Sequence, residues 1–474
     1  MNTTIMVLAG ALGIAAASCT VGPDYQRPPL DVPPGYKSAL TGEAQSPQLA
    51  KDWWKLFGDA TLTRLEEQAI EANQDLKAAM ARVAESRAAA RIAGSDYFPV
   101  LTFDPSADRS RSSANVARAG GRSTTSTDIR LPFDLSYEVD LWGRIRRSVE
   151  AAEAQARASG DDLAVVLHTI EADVAQNYFT MRSIDSQIQI LSRTVESFQR
   201  QISLLQTQFK AGLVGRINIV QAESQLYAAQ SQLAELRRQR ADLEHALATL
   251  LGRPPTELTL PPQALNSPPP AVPAGLPADL LRRRPDVAEA EQNLAAASAQ
   301  IGVAVAQFYP DLRLTSSAGF ESLDVRHLAD WQSRIWSIGA GALVPLFEGG
   351  RLKANLQQAR ARYDEMAANY RSRVLVAFRE VEDALTDLHL RADAAKAQAL
   401  AVESSREYLR LAETQYQQGL QSYFLVIDAE RTLLSNELLA AQILNQRMVS
   451  TVLLIKALGA GWDPEASPPA GEDP

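Results

Sequence analysis

The chain of 474 residues has one cysteine, Cys19, four histidines and no excess of positive charge. A single thiol excludes an internal disulfide framework and a cysteine-based metal cluster. The histidines, His168, His245, His327 and His389, stand far apart without metal-ligand spacing, which speaks against a metalloenzyme. With 56 acidic against 47 basic residues the net charge is −9, and non-specific nucleic-acid binding is not expected. The chain also lacks a Gly-rich phosphate loop, a nucleophile elbow and paired metal ligands, so a non-enzyme without cofactor is predicted. Beyond residue 18 no run of 18 or more apolar residues occurs, so no helix is predicted to span a bilayer. Any crossing must then be made by strands closed into a barrel.

What is present is 46% hydrophobic residues with only 6% aromatics, in long stretches of Ala, Leu, Gln, Arg and Glu. That mixture suits long helices. An internal repeat organises them. Gln208-Phe209-Lys210-Ala211-Gly212-Leu213 recurs as Gln415-Tyr416-Gln417-Gln418-Gly419-Leu420, 207 positions later, and Gly143-Arg144 meets Gly350-Arg351 at the same offset. Tyr97-Phe98-Pro99 aligns with Phe308-Tyr309-Pro310 at offset 211, so a four-residue change is absorbed between these points. Each copy reads as helix, two strands, long helix, turn, long helix. Residues 145–209 and 352–416 contain no proline, and about 65 helical residues run roughly 100 Å, a length that points to coiled-coil or tubular packing. Leu163, Val166, Ile170 and Val174 carry the apolar 3-4 spacing. Ten prolines from Pro254 to Pro285 predict an extended linker without helix between the copies.

The expected divisions are a signal peptide over 1–18, a lipidated extended segment over 19–58 with Trp53-Trp54 as an apolar clip, and repeat 1 over 59–253. The linker at 254–285, repeat 2 over 286–460 and a loose tail over 461–474 follow.

Strands are predicted at about 100–108 and 127–141 in the first copy and 311–321 and 334–347 in the second, with polar loops between. Ile129, Leu131, Phe133, Leu135, Tyr137, Val139 and Leu141 alternate with Asp128, Arg130, Pro132, Asp134, Ser136, Glu138 and Asp140. One face is apolar and the other charged, and the charged face requires water. Four strands cannot close alone and open edges are intolerable in lipid, so either several chains pool strands or the sheet packs in water.

At the N-terminus, Ile5 to Ala17 form a short apolar core followed by Ser18 and Cys19. Thirteen residues are too few to span, and the pattern resembles a signal ending in a lipobox whose thiol, Cys19, receives diacylglycerol; the alternative is an ordinary secretory signal followed by a buried free cysteine. Met1-Asn2-Thr3-Thr4 carries no Lys or Arg, leaving open a start codon upstream of Met1 or insertion on the α-amino charge alone. Thr20, where a sorting pattern would place Asp for inner-membrane retention, favours the outer membrane.

Thr20-Val21-Gly22-Pro23-Asp24-Tyr25-Gln26-Arg27-Pro28 and Leu281-Arg282-Arg283-Arg284-Pro285-Asp286-Val287-Ala288-Glu289-Ala290-Glu291, with the repeated tip motifs, resemble the TolC/OprM-like outer membrane factors, specifically the NodT-type efflux lipoproteins, over essentially the whole chain. The resemblance implies a mixed, mainly α fold. Long coiled-coil hairpins form an α-helical barrel in the periplasm, and four transmembrane β-strands per chain close as a 12-stranded barrel in a homotrimer. It implies a channel passively conducting substrates from an inner-membrane pump of RND type and a periplasmic adaptor to the exterior.

Carried over, Gly212, Leu213, Gly419 and Leu420 lie at the adaptor-docking tips, where glycine ends each first helix in the left-handed conformation. Asn218 with Gln221 is read as the cap of the restarting helix. Asp428 matches an acidic gate ring, Gln421 stands at the ring position of OprM-like relatives, Leu425 replaces a second acid, and Tyr423 braces the closed bundle. The acidic bias of the first copy's charged strand face predicts mild cation preference. The competing readings are a secreted coiled-coil structural or adhesive lipoprotein without a pore, and a periplasmic hydrolase on a helical scaffold.

Overall fold

The computed structural model describes residues 20–37, 50–115, 123–272 and 277–463. Cys19, the signal segment 1–18 and residues 464–474 lie outside the described residues.

The duplication is visible in the element bounds. Helices α1 (Ala60–Ala72) and α2 (Gln74–Ser95) lead to strands β1 (Val100–Phe103), β2 (Ser106–Arg111) and β3 (Thr125–Val139). A 67-residue helix α3 (Arg144–Lys210) and a 35-residue helix α4 (Arg216–Leu250) complete the first copy. The second runs through short α5 (Pro277–Arg283), α6 (Pro285–Ala306), β4 (Asp311–Ser322), β5 (Arg334–Leu343), α7 (Arg351–Gln417) and α8 (Tyr423–Ala457). Helices α7 and α8 again have 67 and 35 residues. The four-residue difference between copies falls between Arg111 and Arg144, in the outer loop, the second strand and its exit.

Local chemistry sets these bounds. Asp59 caps α1, its Oδ1 accepting from the amides of Thr61 at 2.8 Å and Leu62 at 3.1 Å. Asn73 caps α2 through Leu76 N–H at 3.0 Å and donates to the carbonyl of Leu250 at 2.9 Å, tying α2 to the end of α4. Pro285 occupies the first turn of α6, where its missing N–H costs nothing, and Arg284 grips Asp286 at 2.9 and 2.7 Å while reaching Ala457 O at 3.1 Å.

One expectation is corrected here. The Pro-rich linker is not wholly extended, because Pro277 starts α5: proline is compatible with the first helical position, and six residues free of it follow. Helix α8 is long and apolar enough by composition to cross a membrane. It does so on averaged hydropathy, without an uninterrupted apolar run. Met448, Val452, Leu454 and Ile455 of α8 are buried against other helices of the same chain.

The helices associate in the lateral order α2–α3–α6–α7, with α4 and α8 folded back as the second arms of two hairpins. Three apolar clusters run along this wall. One, at mid-height, joins Trp53, Leu62, Leu65, Ile170, Val174, Tyr178, Leu247 and Val452, with Leu163 and Val166 packed on it. A second holds Tyr370, Val374, Val287 and Leu294, and a third fastens the hairpins through Phe198, Leu205, Leu226, Tyr423 and Val426.

The N-terminal segment runs across the wall of helices. Val21 N–H donates to Trp142 O at 3.1 Å, Asp24 pairs with Arg147 at 2.6 Å, Arg27 pairs with Glu291, and Lys37 N–H donates to Glu382 at 2.6 Å. Trp53 and Trp54 then enter the mid-height core in a short 3-10 turn.

That core contains acid groups. Trp53 Nε1 donates to Glu171 Oε2 at 3.1 Å, His168 Nδ1 lies 3.1 Å from the same oxygen, and Glu66 is fully buried with neither carboxyl oxygen partnered among the described residues. Burial, reinforced by the Glu171 charge, pushes the Glu66 carboxyl well above the usual carboxylate range. An acid held protonated only in the folded state contributes its stability below its unfolded pKa and loses it as pH rises through the folded value. Glu66→Gln is therefore expected to leave the melting temperature unchanged at low pH and to raise it increasingly above the ordinary carboxylate range. Thermal melts of wild type and variant across pH check this.

Candidate functional site

Two regions carry candidate function, the sheet at one end of the helices and the hairpin tips at the other. In the sheet, β1 and β2 both pair antiparallel with β3, which pairs with β4, which pairs with β5. The first predicted strand is thus broken at Asp104-Pro105 and extends to Arg111. The register with β3 is continuous across the break, from Phe103↔Phe133 to Ser106↔Arg130, so proline interrupts only the ladder. β5 ends at Leu343, and Val344 and Leu346 continue outside the strand. β3 starts at Thr125 and ends at Val139, so Leu141 follows the strand, its N–H turned back to the carbonyl of Val139 at 2.8 Å.

Register assigns the faces. Leu101, Leu135, Ser316 and Ile338 lie in one row, Phe103, Phe133, Ala318 and Trp336 in the next, and Tyr137, Leu314 and Ala340 in a third. Ile129, Leu131 and Val139 share that face, which is solvent-exposed in the isolated chain, with Trp336 76% and Ile338 80% exposed. Phe103 and Phe133 stack there at 4.7 Å. The opposite face carries Asp108 paired with Asp128, Thr102 with Asp134, and Arg130 with Glu321, the last an ion pair at 3.0 Å. Pro132 and Gly319 face each other in the sheet interior, and a Cβ on Gly319 would fall 2.1 Å from Leu131 O, so glycine is needed opposite the proline. Both sheet edges, β1/β2 and β5, lack a partner strand among the described residues.

At the helix ends next to the sheet, Glu138 accepts two bonds from Arg144 at 2.7 and 2.6 Å, and Asp140 receives the amides of Ile145 at 3.0 Å and Arg146 at 2.9 Å. These carboxylates sit where the α3 macrodipole favours negative charge. Trp142 stacks on Tyr309 at 4.7 Å, joining the two copies.

At the far end the two hairpins turn alike. Gly212 and Gly419 have φ of 74° and 73°, and Leu213 and Leu420 N–H donate back to Gln208 O and Gln415 O, both at 2.9 Å. This closes the helix ends and leaves both leucines exposed. Ile217 and Val220 in the first tip and Phe424 in the second extend the exposed apolar surface. Helix α4 restarts at Arg216 behind an extended Gly215, with Asn218 already inside its first turn and donating its N–H to Gly215 O at 3.2 Å. Asn218 and Gln221 are therefore not the cap.

Of the predicted gate residues, Gln421 is exposed in the second turn, and half-buried Asp428 accepts from Tyr408 at 3.1 Å across the arms of its own hairpin. Tyr423 is buried, stacks obliquely against Tyr416 at 5.4 Å, and donates to Gln201 of the first hairpin. Burial pushes its phenol far above the usual tyrosine range. Sequence reasoning missed the rest of this junction. Tyr416 donates to Gln208 at 2.9 Å, and Ser197 and Gln201 both donate to the buried carboxylate of Glu430. Its only sequence signal was an acid inside the apolar run Val426-Ile427-Asp428-Ala429-Glu430.

A two-faced sheet with free edges, continuous with helices of 67 residues, defines a class of outer-membrane channel proteins. The family described as outer membrane efflux protein matches residues 65–253 and 276–460, and the chain belongs to it. It is 32% identical over 471 residues to the toluene efflux pump outer membrane protein TtgF of Pseudomonas putida, covering 97% of each chain. It is 31% identical to the cation efflux system protein CusC of Escherichia coli over 95% of this chain and 97% of that one. The solved outer-membrane channel OprN superposes with a TM-score of 0.88 at 31% identity, covering 94% of this chain and all of that one. The protein is an efflux channel of the outer membrane, which sets aside the pore-free structural lipoprotein.

Proposed function

We propose that the chain is the passive outer conduit of a tripartite exporter, assembling as a homotrimer whose three sheets close one barrel and whose helices close one periplasmic tunnel. The observation that carries this reading is the sheet: an apolar face fit for lipid, a charged face fit only for water, and two edges awaiting partners. It has no reaction to catalyse, and a periplasmic adaptor with an inner-membrane pump, of RND type, supplies the energy. The adaptor meets the exposed apolar tips around Leu213 and Leu420. Asp428, repeated around the axis, narrows and charges the closed end. Cys19 carries the lipid anchor. Its near neighbour Val21 is bonded to Trp142, at the junction of strand and helix.

Relatives named for toluene and for cations are almost equally identical to this chain, so the pump selects the cargo. On the water-facing side, Asp108, Asp128 and Asp134 make no ion pair among the described residues, which favours cations in the barrel. Purified protein in planar bilayers is expected to give discrete currents with cation preference. An electrically silent, monomeric product would overturn the conduit reading, and anion preference would overturn the charge assignment alone.

A further inference from the structure

The junction between the two hairpins holds a carboxyl group that the channel's turns and gate ring do not use. Glu430 of α8 is buried against α3 of the other hairpin. Its Oε1 accepts from Ser197 Oγ at 3.0 Å and from Gln201 Nε2, while Oε2 is buried with no partner among the described residues. Gln201 in turn accepts from Tyr423 of α8, so one polar cluster crosses between α3 and α8 within an otherwise apolar contact made by Phe198, Leu205, Val426 and Ile427. We propose that Glu430, with Ser197 and Gln201, is a proton-controlled latch that holds the two hairpins together and lets the periplasmic tips part when its proton leaves. The inference rests on the conduit reading for its consequence in transport, though not for the movement itself.

The groups facing Glu430 decide the direction. Helix α3 presents the neutral Ser197 and Gln201, α7 presents the acid Glu413, and α8 itself presents Tyr423, whose ring meets Tyr416 of α7. Helix α4 contributes Ala222 and Leu226 to the same cluster. No ion pair neutralises the carboxylate among the described residues. Burial raises the Glu430 pKa above the ordinary carboxylate value, Glu413 adds to the rise, and the two donated hydrogen bonds partly oppose it.

With its proton, the group satisfies Ser197 and Gln201 through Oε1 and leaves no charge in the contact. Without it, a full charge sits with one oxygen beyond any donor, a costly state that water relieves once α3 and α8 separate. The latch therefore holds below the raised pKa and releases above it.

Spin labels at the tips, introduced as Leu213→Cys and Leu420→Cys in the full chain, measure hairpin separation by pulsed dipolar spectroscopy over about pH 4 to about pH 9. The expected result is a separation that grows through a single-proton transition. Glu430→Gln, which keeps the shape and both hydrogen-bond partners, abolishes the transition and holds the short distance throughout. Ser197→Ala, which removes a donor favouring the charged form, moves the transition to higher pH. A distance independent of pH in the otherwise wild-type chain, or the same transition in Glu430→Gln, overturns the latch. Parallel current recordings separate the two readings. A pH-dependent distance in a silent protein leaves the latch standing and removes the conduit, whereas a conducting protein with rigid tips does the reverse.

Discussion

Leu135→Arg is expected to prevent the chain from forming a stable assembly in the outer membrane. Leu135 lies in the middle of the stretch where β3, β4 and β5 overlap, in a row with Leu101, Ser316 and Ile338 on the face assigned to lipid. Arginine on a barrel's lipid face costs about 2–4 kcal/mol near the bilayer midplane, and in a homotrimer the cost is met once per chain. Domains and assemblies of ordinary stability have about 5–15 kcal/mol in hand, so the combined effect is comparable to the whole. The neighbouring position separates face from strand. Asp134→Asn changes the opposite, wet face, where it is expected to leave assembly intact and to weaken cation preference. Heat-modifiable migration on gels and planar-bilayer current read the two outcomes. A Leu135→Arg protein that assembles and conducts like wild type would show that this face does not meet hydrocarbon.

The parts of this architecture legible in the sequence are those written in local pattern. Residues 144–210 and 351–417 lack proline and repeat at one offset, so helices α3 and α7 could be placed to within a residue or so. β3 was legible because Asp128, Arg130, Asp134 and Glu138 alternate with large apolar residues, a periodicity helices do not share. β5 was harder, since Gly339, Ala340, Gly341 and Ala342 carry little contrast, and its end was overrun into Val344 and Leu346. The break at Pro105 is invisible to face alternation, because the register passes through it unchanged. Burial of Glu430 was illegible for a different reason. Asp428 and Glu430 are two residues apart on one helix, and only the approach of α3, more than 200 positions away in sequence, turns one toward a tyrosine of its own hairpin and buries the other. Short-range pattern reports amphipathicity, whereas long-range contact decides which polar group loses its water.

The same distinction governs the Pro-rich connection between the repeats, where composition predicts extension and cannot say what fixes the chain. Asp185 of α3 is buried, with a side chain 2% exposed. It accepts from Arg240 at 2.6 Å, from Arg182 at 3.2 Å and from the amide of Gln263 at 3.0 Å. Arg182 also donates to Pro261 O at 2.7 Å and Arg240 to Leu260 O at 2.6 Å, while Glu244 receives Leu260 N–H at 2.6 Å. Backbone groups that proline-rich chain cannot pair with itself are thus satisfied by an ionic knot joining α3 and α4. Asp185→Ala removes the shared acceptor and leaves the buried Arg182 without its carboxylate partner, while Arg240 keeps Glu244 at 3.3 Å. Loss of one member of a buried pair costs about 3–5 kcal/mol, and the effect here is expected to reach that range. Because the missing contacts hold the linker directly, protease cleavage between about residues 254 and 272 is expected at temperatures well below global melting. Asp185→Asn keeps one carbonyl oxygen able to accept from Arg240 or from Gln263 N–H and should fall between wild type and Asp185→Ala. Thermal melts followed in parallel with limited proteolysis test the assignment. An Asp185→Ala protein that melts with the wild type and keeps its linker protected would mean that packing of Leu258, Leu260 and Leu265 on the mid-height core is sufficient without the charges.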